Sequence, residues 1–354
     1  EAKIADAAVV SLKSGRKNLI INGGMAIDQR NNGVVKSVTG WGDFVTDRFR
    51  FSFRTATGTA SAQQVTDAPV GFKNSLKLTR LTATSPAADD FYNLVTKIEG
   101  NDISHTEVGK ATAKTVTASF WVKSSLTGTY SVGFQNEAGG DRRSYVTEYT
   151  INTANTWERK TFTTTLDTGN TWHTDNQAGI QLNWGFGNGS AYQTSTLNTW
   201  QSNNVLESSN QSSFMATAGA TWQITGVQLE LGSVATDFEH RSYGEELALC
   251  QRYYWRSGTG AAYTVLSSGL IYNTVEALTM VRFPNTMRGV PTMVTFGSWE
   301  VMQGSVIGGT LAFNQINNDT VRLSLAITGG TVGRGAIVRN ANDTAAYIAA
   351  DAEL

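Results

Sequence analysis

The sequence predicts an all-β protein: a jelly-roll-like β-sandwich, a bridging helix, and a smaller C-terminal β-sandwich. Three observations carry this expectation. Only 16% of the residues are charged, with 35 Gly and 4 Pro. The surface must therefore be covered largely by Thr, Ser, Asn, Gln and Gly, as in proteins of short strands and glycine turns. Apolar and polar residues also alternate in run after run at intervals of roughly a dozen residues, the spacing of a sandwich or jelly roll. Finally, one well-marked helical pattern divides two such sets of strands.

Taken in order, residues 1–17 are short of aromatics and too brief to hold a core. They read either as the end of an N-terminal stem, with Ile4, Ala8, Val10 and Leu12 along a seam, or as a leader without structure. The first domain spans residues 18–240. It opens on an apolar strand broken by Asn22-Gly23-Gly24, a turn signal. Phe49, Phe51 and Phe53 then alternate with Arg48, Arg50 and Ser52. Strands are also expected over Leu76–Leu78, Phe91–Ile98, Thr115–Lys123, Tyr130–Phe134, Tyr145–Ile151, Lys160–Leu166 and Ile180–Phe186. The stretch Thr168–Ser213 sets Trp172, Trp184, Tyr192 and Trp200 among Asn, Gln, Gly and Ser, which suggests a decorated loop region around one strand. The domain closes with Trp222–Leu231, where the apolar phase slips by one residue; a bulge at Gly226 accounts for the slip. Lying so far apart in sequence, the opening and closing strands are expected to pair.

The helix, residues 241–257, starts at the capping-box pattern Ser242-x-x-Glu245. Tyr243, Leu247, Cys250 and Tyr254 fall on one face and are the expected inter-domain or inter-subunit contact. Cys250 is the single cysteine, so no intramolecular disulfide forms, and its place on that face marks it as packing rather than as a nucleophile. Residues 258–354 supply the second β-domain. Its strands are expected over Ala262–Leu270, Tyr272–Arg282, Pro291–Phe296, Thr310–Ile316, Thr320–Ile327 and Ala345–Leu354.

A net charge of -1 argues against nucleic acid and anionic membranes, both of which need a basic excess. No run of eighteen apolar residues suggests a membrane helix. His105, His173 and His240 lack the short spacings of a metal site, so no metal and no cofactor is expected.

Three places resemble the tail-fibre and tail-associated receptor-binding proteins of tailed bacteriophages: Asn18–Arg30 together with Val45-Thr46-Asp47-Arg48-Phe49, then Val227–Tyr254, then the Ala-Asp-Ala-Glu-Leu end. The resemblance implies a homotrimer on an N-terminal stem that joins other tail proteins. It also implies a place at the fibre tip of the virion and a host glycan or outer-membrane receptor as partner. The opening is similar, too, to jelly-roll carbohydrate-binding modules. Their structural calcium site is not expected here, because Gly24, Met25 and Ala26 and the pair Thr225-Gly226 replace its oxygen ligands.

Sugar rings stack their C–H faces on aromatic rings while amides and carboxylates match the hydroxyls. Trp172, Tyr192 and Trp200 with Asp175, Asn176 and Asn188 are therefore the expected glycan-binding residues, with Gln181, Asn183 and Gln193 nearby. Trp184, between Leu182 and Phe186 on an alternating strand, reads as core. No catalytic residue is assigned. A glycan depolymerase, the competing reading, needs paired carboxylates, and the clusters Asp89-Asp90, Glu99, Asp102 and Glu137, Asp141, Glu148 read better as solvated loops. A structural tail component without a receptor site is the third reading.

Overall fold

A computed structural model describes residues 16–54, 59–138, 142–258 and 260–354. Most of the expected stem, and Asp141, lie outside the described residues. The chain divides into two compact units, Glu1–Glu246 with Leu354 and Leu247–Glu353. The division falls within the helix Tyr243–Gln251.

In the first unit the strands are β1 (Lys36–Val38), β2 (Trp41–Thr46), β3 (Phe49–Arg54), β4 (Ala60–Val65), β5 (Ser75–Arg80), β6 (Phe91–Glu99), β7 (Thr115–Ser124) and β8 (Gly128–Gln135). They continue as β9 (Ser144–Ile151), β10 (Glu158–Thr165), β11 (Ala178–Gly185), β12 (Gln193–Thr194), β13 (Trp200–Gln201), β14 (Glu207–Ser208) and β15 (Thr221–Leu231). Two large sheets result, with orders β1-β4-β5-β15-β7-β10 and β13-β9-β8-β11-β6-β3-β2, and β12 pairs with β14 in a small parallel ladder. The fold is the all-β sandwich the alternation predicts. Each strand turns its apolar positions toward the opposite sheet. Phe120 of β7 meets Trp184 of β11 edge-on at 5.6 Å, and Trp222 of β15 meets Phe186 at 4.9 Å.

The opening segment lies along β15: the Leu19 N–H donates to the Leu229 carbonyl (2.9 Å) and the Val227 N–H to the Gly23 carbonyl (2.9 Å). Gly23 is required by this approach, since a Cβ there would stand 2.0 Å from the Val227 carbonyl oxygen. The left-handed residue of the turn is Asn22, at φ 60. The bulge in β15 falls between Thr225 and Gln228 in the register with β7, and Gly226 takes φ 63 there.

Three sequence expectations need correction in their detail. Residues 168–213 are loops around one long strand, β11, with Trp184 in the core as expected, but Trp172 also belongs to the core rather than to a decorated surface. The helix ends at Gln251, not beyond Trp255. The Tyr253 N–H closes a turn on the Cys250 carbonyl (2.9 Å), after which Tyr254–Arg256 form a strand. Consecutive aromatics favour an extended backbone and outweigh the helical spacing. The Ser242 hydroxyl does cap, accepting the Glu245 N–H at 3.2 Å. Of the four residues expected on one contact face, Tyr243 is 65% exposed, Leu247 half-buried, and Cys250 and Tyr254 buried.

The second unit has β16 (Tyr254–Arg256), β17 (Val265–Asn273), β18 (Glu276–Arg282), β19 (Thr292–Phe296), β20 (Trp299–Met302), β21 (Gly308–Ile316), β22 (Thr320–Ile327), β23 (Gly335–Asn340) and β24 (Tyr347–Asp351). Sheets of order β16-β24-β19 and β20-β23-β17-β18-β22-β21 enclose a core that includes Ile271, Val301, Leu323, Leu325, Val338 and Ile348. Sequence reading omitted β20 and β23 and placed the first hairpin turn too early; the turn lies at Thr274-Val275.

Candidate functional site

On β11, Ile180, Leu182 and Trp184 face the core, so Gln181 and Asn183 point to the outer face of the seven-stranded sheet. The register sets Gln181 opposite Lys97 of β6 and Gln135 of β8, Asn183 opposite Val95, and Gly185 opposite Asn93. One strand further, Arg50 and Ser52 of β3 stand opposite Val95 and Asn93. These outward positions form the floor of a cavity of about 290 Å³, near the small end of the ~300–1,000 Å³ usual for ligand pockets.

The floor is a lattice of amides. Gln181 Nε2 donates to Gln135 Oε1 (3.2 Å) and to Asn183 Oδ1, and Gln135 Nε2 donates to Asn204 Oδ1 (3.0 Å). Asn93 exchanges hydrogen bonds with Asn188, whose Oδ1 also accepts the Tyr92 N–H (2.6 Å). Amides carry donors and acceptors in one plane, so a fixed lattice presents directional partners to a hydroxylated ligand.

An aromatic wall borders this floor. Trp41, 67% exposed, meets Phe91 edge-on at 5.1 Å, and Phe91 meets Tyr192 edge-on at 5.4 Å. At the charged end, Glu137 accepts Lys97 at 3.2 Å and Arg142 at 3.5 Å. Burial, then the nearby Arg50 charge, pull the Lys97 ammonium down to about 8.

Beneath the cavity sits Glu207, fully buried. Its carboxylate accepts the N–H groups of Gly187 (3.1 Å) and Asn188 (2.5 Å) and Nε2 of Gln193 (3.3 Å). Burial nevertheless pushes the carboxyl up to about 7, because its partners are neutral and water is excluded.

The sequence-predicted residues separate into three places. Tyr192 lines the cavity and Asn188 lies buried under it, joined by Gln181 and Asn183. Trp172 and Trp200 pack against each other at 5.5 Å on the flank of the core. Trp172 is 7% exposed with its indole N–H on the Gly169 carbonyl (3.2 Å), and half-buried Trp200 donates to the Thr165 carbonyl (3.0 Å). These two rings therefore pack the sandwich, because the loops around them fold inward. Asp175 and Asn176 lie on an exposed turn before β11, where Asp175 accepts the Gln177 N–H (2.9 Å). Trp41, Phe91, Asn93, Arg50, Lys97, Gln135, Arg142 and Asn204 are not among the expected site residues, and Glu137 stands only in an acidic cluster that reads as solvated loop. Only the register across five strands brings them together.

A second cavity, about 330 Å³, lies in the C-terminal unit beside Trp255, Leu266, Met280 and Trp299. Its Asn340 is fully engaged with the Thr264 N–H and the Ala261 and Asp343 carbonyls, so it offers little directional chemistry. Among the described residues no group of three or more His, Cys, Asp or Glu could hold a metal ion, and no helix is long and apolar enough to cross a membrane.

No family model and no curated protein matches the chain. Among solved structures it is similar to the tailspike protein 4 enzymatically active domain of bacteriophage CBA120, at 14% identity and TM-score 0.32, covering 61% of this chain and 21% of that one. The tandem CBM22 domain from Paenibacillus barcinonensis aligns at 12% identity and TM-score 0.32, covering 96% of this chain and 98% of that one. A family 11 carbohydrate-binding module from Clostridium thermocellum, in complex with a mixed-linked tetrasaccharide, aligns at 11% identity and TM-score 0.29, covering 58% and 98%.

Proposed function

We propose that the chain is the receptor-binding part of a bacteriophage tail fibre, which attaches the virion to its host by holding a surface glycan on the seven-stranded sheet. The observation that carries the glycan reading is the Trp41–Phe91–Tyr192 wall, with Trp41 exposed, Tyr192 half-buried and Phe91 buried, standing beside a fixed amide floor. One sugar ring stacks its C–H face on the aromatic wall while Asn93, Gln135, Gln181 and Asn183 meet its hydroxyls. The tail-fibre reading rests on the sequence resemblance at Asn18–Arg30, Val45–Phe49, Val227–Tyr254 and the C-terminal end.

Binding rather than cleavage is favoured by the described lining residues. Their one carboxylate side chain, Glu137, is tied to Lys97 and Arg142, whereas glycoside hydrolysis uses two carboxylates about 5–9.5 Å apart. A homotrimer would present three such sites, and weak single-site affinity would become firm attachment through effective concentration.

The test is calorimetric titration of purified chain with oligosaccharides released from the host surface, repeated with Trp41→Ala. Because two thirds of the Trp41 surface is already in water, folding should be nearly unaffected while affinity falls about 10- to 100-fold, the usual effect of losing a tryptophan anchor. Equal affinity of variant and parent refutes the site. Shortening of the glycan during incubation would move the assignment to a depolymerase. Light scattering should give a mass about three times 38.1 kDa; a monomer contradicts the trimer.

A further inference from the structure

We propose that the cavity of the C-terminal unit, which shares no residue with the glycan cavity, binds a single-chain amphiphile: an alkyl chain inside and its anionic end at Arg282 and Arg322. The strand register shows how the cavity arises. β17 and β18 pair from Gly269 opposite Thr279 to Asn273 opposite Glu276, and no pair joins Val265–Ser268 to Met280–Arg282. At the last pair the Thr279 hydroxyl reaches the Ser268 carbonyl (2.7 Å) and Ser267 Oγ (3.0 Å). The strands part there. The opening, about 330 Å³, is therefore lined from both faces of the sheet, by Val281 and Trp299 on the core side and by Met280 and Arg282 on the outer side.

The polar side chains of this wall are occupied by the protein itself. Ser257 Oγ accepts the Ile348 N–H (3.1 Å), Thr264 Oγ1 donates to the Ala261 carbonyl (2.9 Å), and Trp299 Nε1 donates to Thr295 Oγ1 (2.9 Å). With Asn340 engaged as well, the side chains left to a ligand are the apolar Trp255, Val265, Leu266, Met280 and Val281. Such a wall suits an alkyl chain and leaves the hydroxyls of a saccharide poorly matched. Charge at the mouth selects the other end of the ligand. Arg282 is the one charged side chain among the described lining residues. Arg322 stands opposite Met280 on β22, so both guanidinium groups rise from the outer face beside Met280. Among the described residues neither side chain forms an ion pair or a hydrogen bond, and Arg322 Nε is buried without a partner. The carboxylates near them are held elsewhere: Glu300 by Arg339 (2.5 Å), and Asp319 by the Thr286 hydroxyl (2.6 Å). A carboxylate or phosphate at the end of an alkyl chain takes paired N–H groups from a guanidinium while the chain covers Met280 and Val265, which are 64% and 55% exposed.

The experiment is calorimetric titration of the full chain with octanoate, octyl phosphate, octanol and octyltrimethylammonium, all below their micelle concentrations. An anionic probe should saturate at one per chain and bind about tenfold more tightly than octanol at about 50 mM salt, the effect of one or two charge-assisted hydrogen bonds. Affinity should rise about three- to fourfold for each methylene added from hexanoate to octanoate. Two exposed side chains separate the parts of the site without disturbing the core. Arg282→Gln should lower the octanoate-to-octanol ratio severalfold and leave octanol unchanged. Met280→Gln should weaken both probes severalfold. Octanol or the ammonium probe bound as tightly as the anions overturns the anionic assignment. No binding of either anion, or binding undiminished by Met280→Gln, overturns the site itself. The relative affinity of carboxylate and phosphate identifies which head group the arginines prefer, and either one ahead of octanol supports the proposal.

Discussion

Glu207 offers a test of the buried architecture beneath the cavity. In the folded chain burial lifts its carboxyl from the ordinary 4.5 to about 7. Between those values the folded state keeps a proton that the unfolded state has released. Stability from this group is therefore greatest below pH 4.5, declines as pH rises toward 7, and is level above that. At ~1.36 kcal/mol per pH unit the interval corresponds to about 3 kcal/mol. Glu158 acts in a different window. Although burial pushes it up, the Lys160 ammonium and the N–H groups of Asn152 and Thr153 hold it down to about 2. Its contribution is present above pH 4.5 and is lost as pH falls toward 2. The two carboxyls can thus be separated by pH alone. Urea unfolding of the parent and Glu207→Gln should be followed from pH 4.5 to 8. Subtracting the two curves cancels the histidines, which titrate in both. The parent should lose about 3 kcal/mol relative to the variant across the window. Exchange of the Gly187 and Asn188 amide protons, both donated to Glu207, should quicken in step. A difference that stays constant within ~0.5 kcal/mol would refute the assignment of a protonated Glu207.

Two further predictions concern the frame that carries the site. Gly226→Ala should cost about 2–4 kcal/mol in urea unfolding, since φ 63 disfavours a side chain and a Cβ would stand 2.6 Å from the Phe72 ring. Arg143 grips Asp167 with two hydrogen bonds, Nε to Oδ2 (3.1 Å) and Nη2 to Oδ1 (2.8 Å), and Asp167 is 2% exposed. Arg143→Ala should therefore cost about 3 kcal/mol by stranding a buried charge, and adding Asp167→Asn should restore part of it. Undiminished stability of the single variant would show that water reaches Asp167.

Much of the sandwich was legible because a half-buried strand writes its two faces into alternate residues. Phe49, Phe51, Phe53, Leu182, Trp184, Trp222 and Ile224 all lie where alternation puts them. The slip at Gly226 was legible for the same reason, since a bulge shifts that alternation by one. The end of the helix was not. Tyr254 satisfies a helical spacing with Cys250 and equally satisfies a strand, and only pairing with Asp351 of β24, distant in sequence, decides between them. β20 and β23 escaped because Trp299–Met302 and Gly335–Asn340 are short runs whose partners lie elsewhere in the chain.

The site was hidden by the rule that revealed the core. On an exposed strand the outward residues are polar and carry no further signal, so Asn93 and Lys97 read as ordinary solvent-facing positions, and Gln181 and Asn183 stand out only as polar neighbours of the expected aromatic residues. Residues 186–208 alter their meaning by folding over that face. Gln181 is left only 6% exposed and Asn183 only 1% exposed. The same covering excludes water from Glu207, whose carboxylate holds the Asn188 N–H, while the Asn188 side chain in turn orders Asn93 and Tyr92. A polar strand face thus becomes a floor with fixed donors and acceptors, and the carboxyl that anchors it becomes hard to ionise. Trp41 shows the converse. At the head of β2, in a stretch rich in aromatics, it stands two-thirds exposed against Phe91 at the cavity edge. The proposed glycan would cover that ring while engaging the amides beside it.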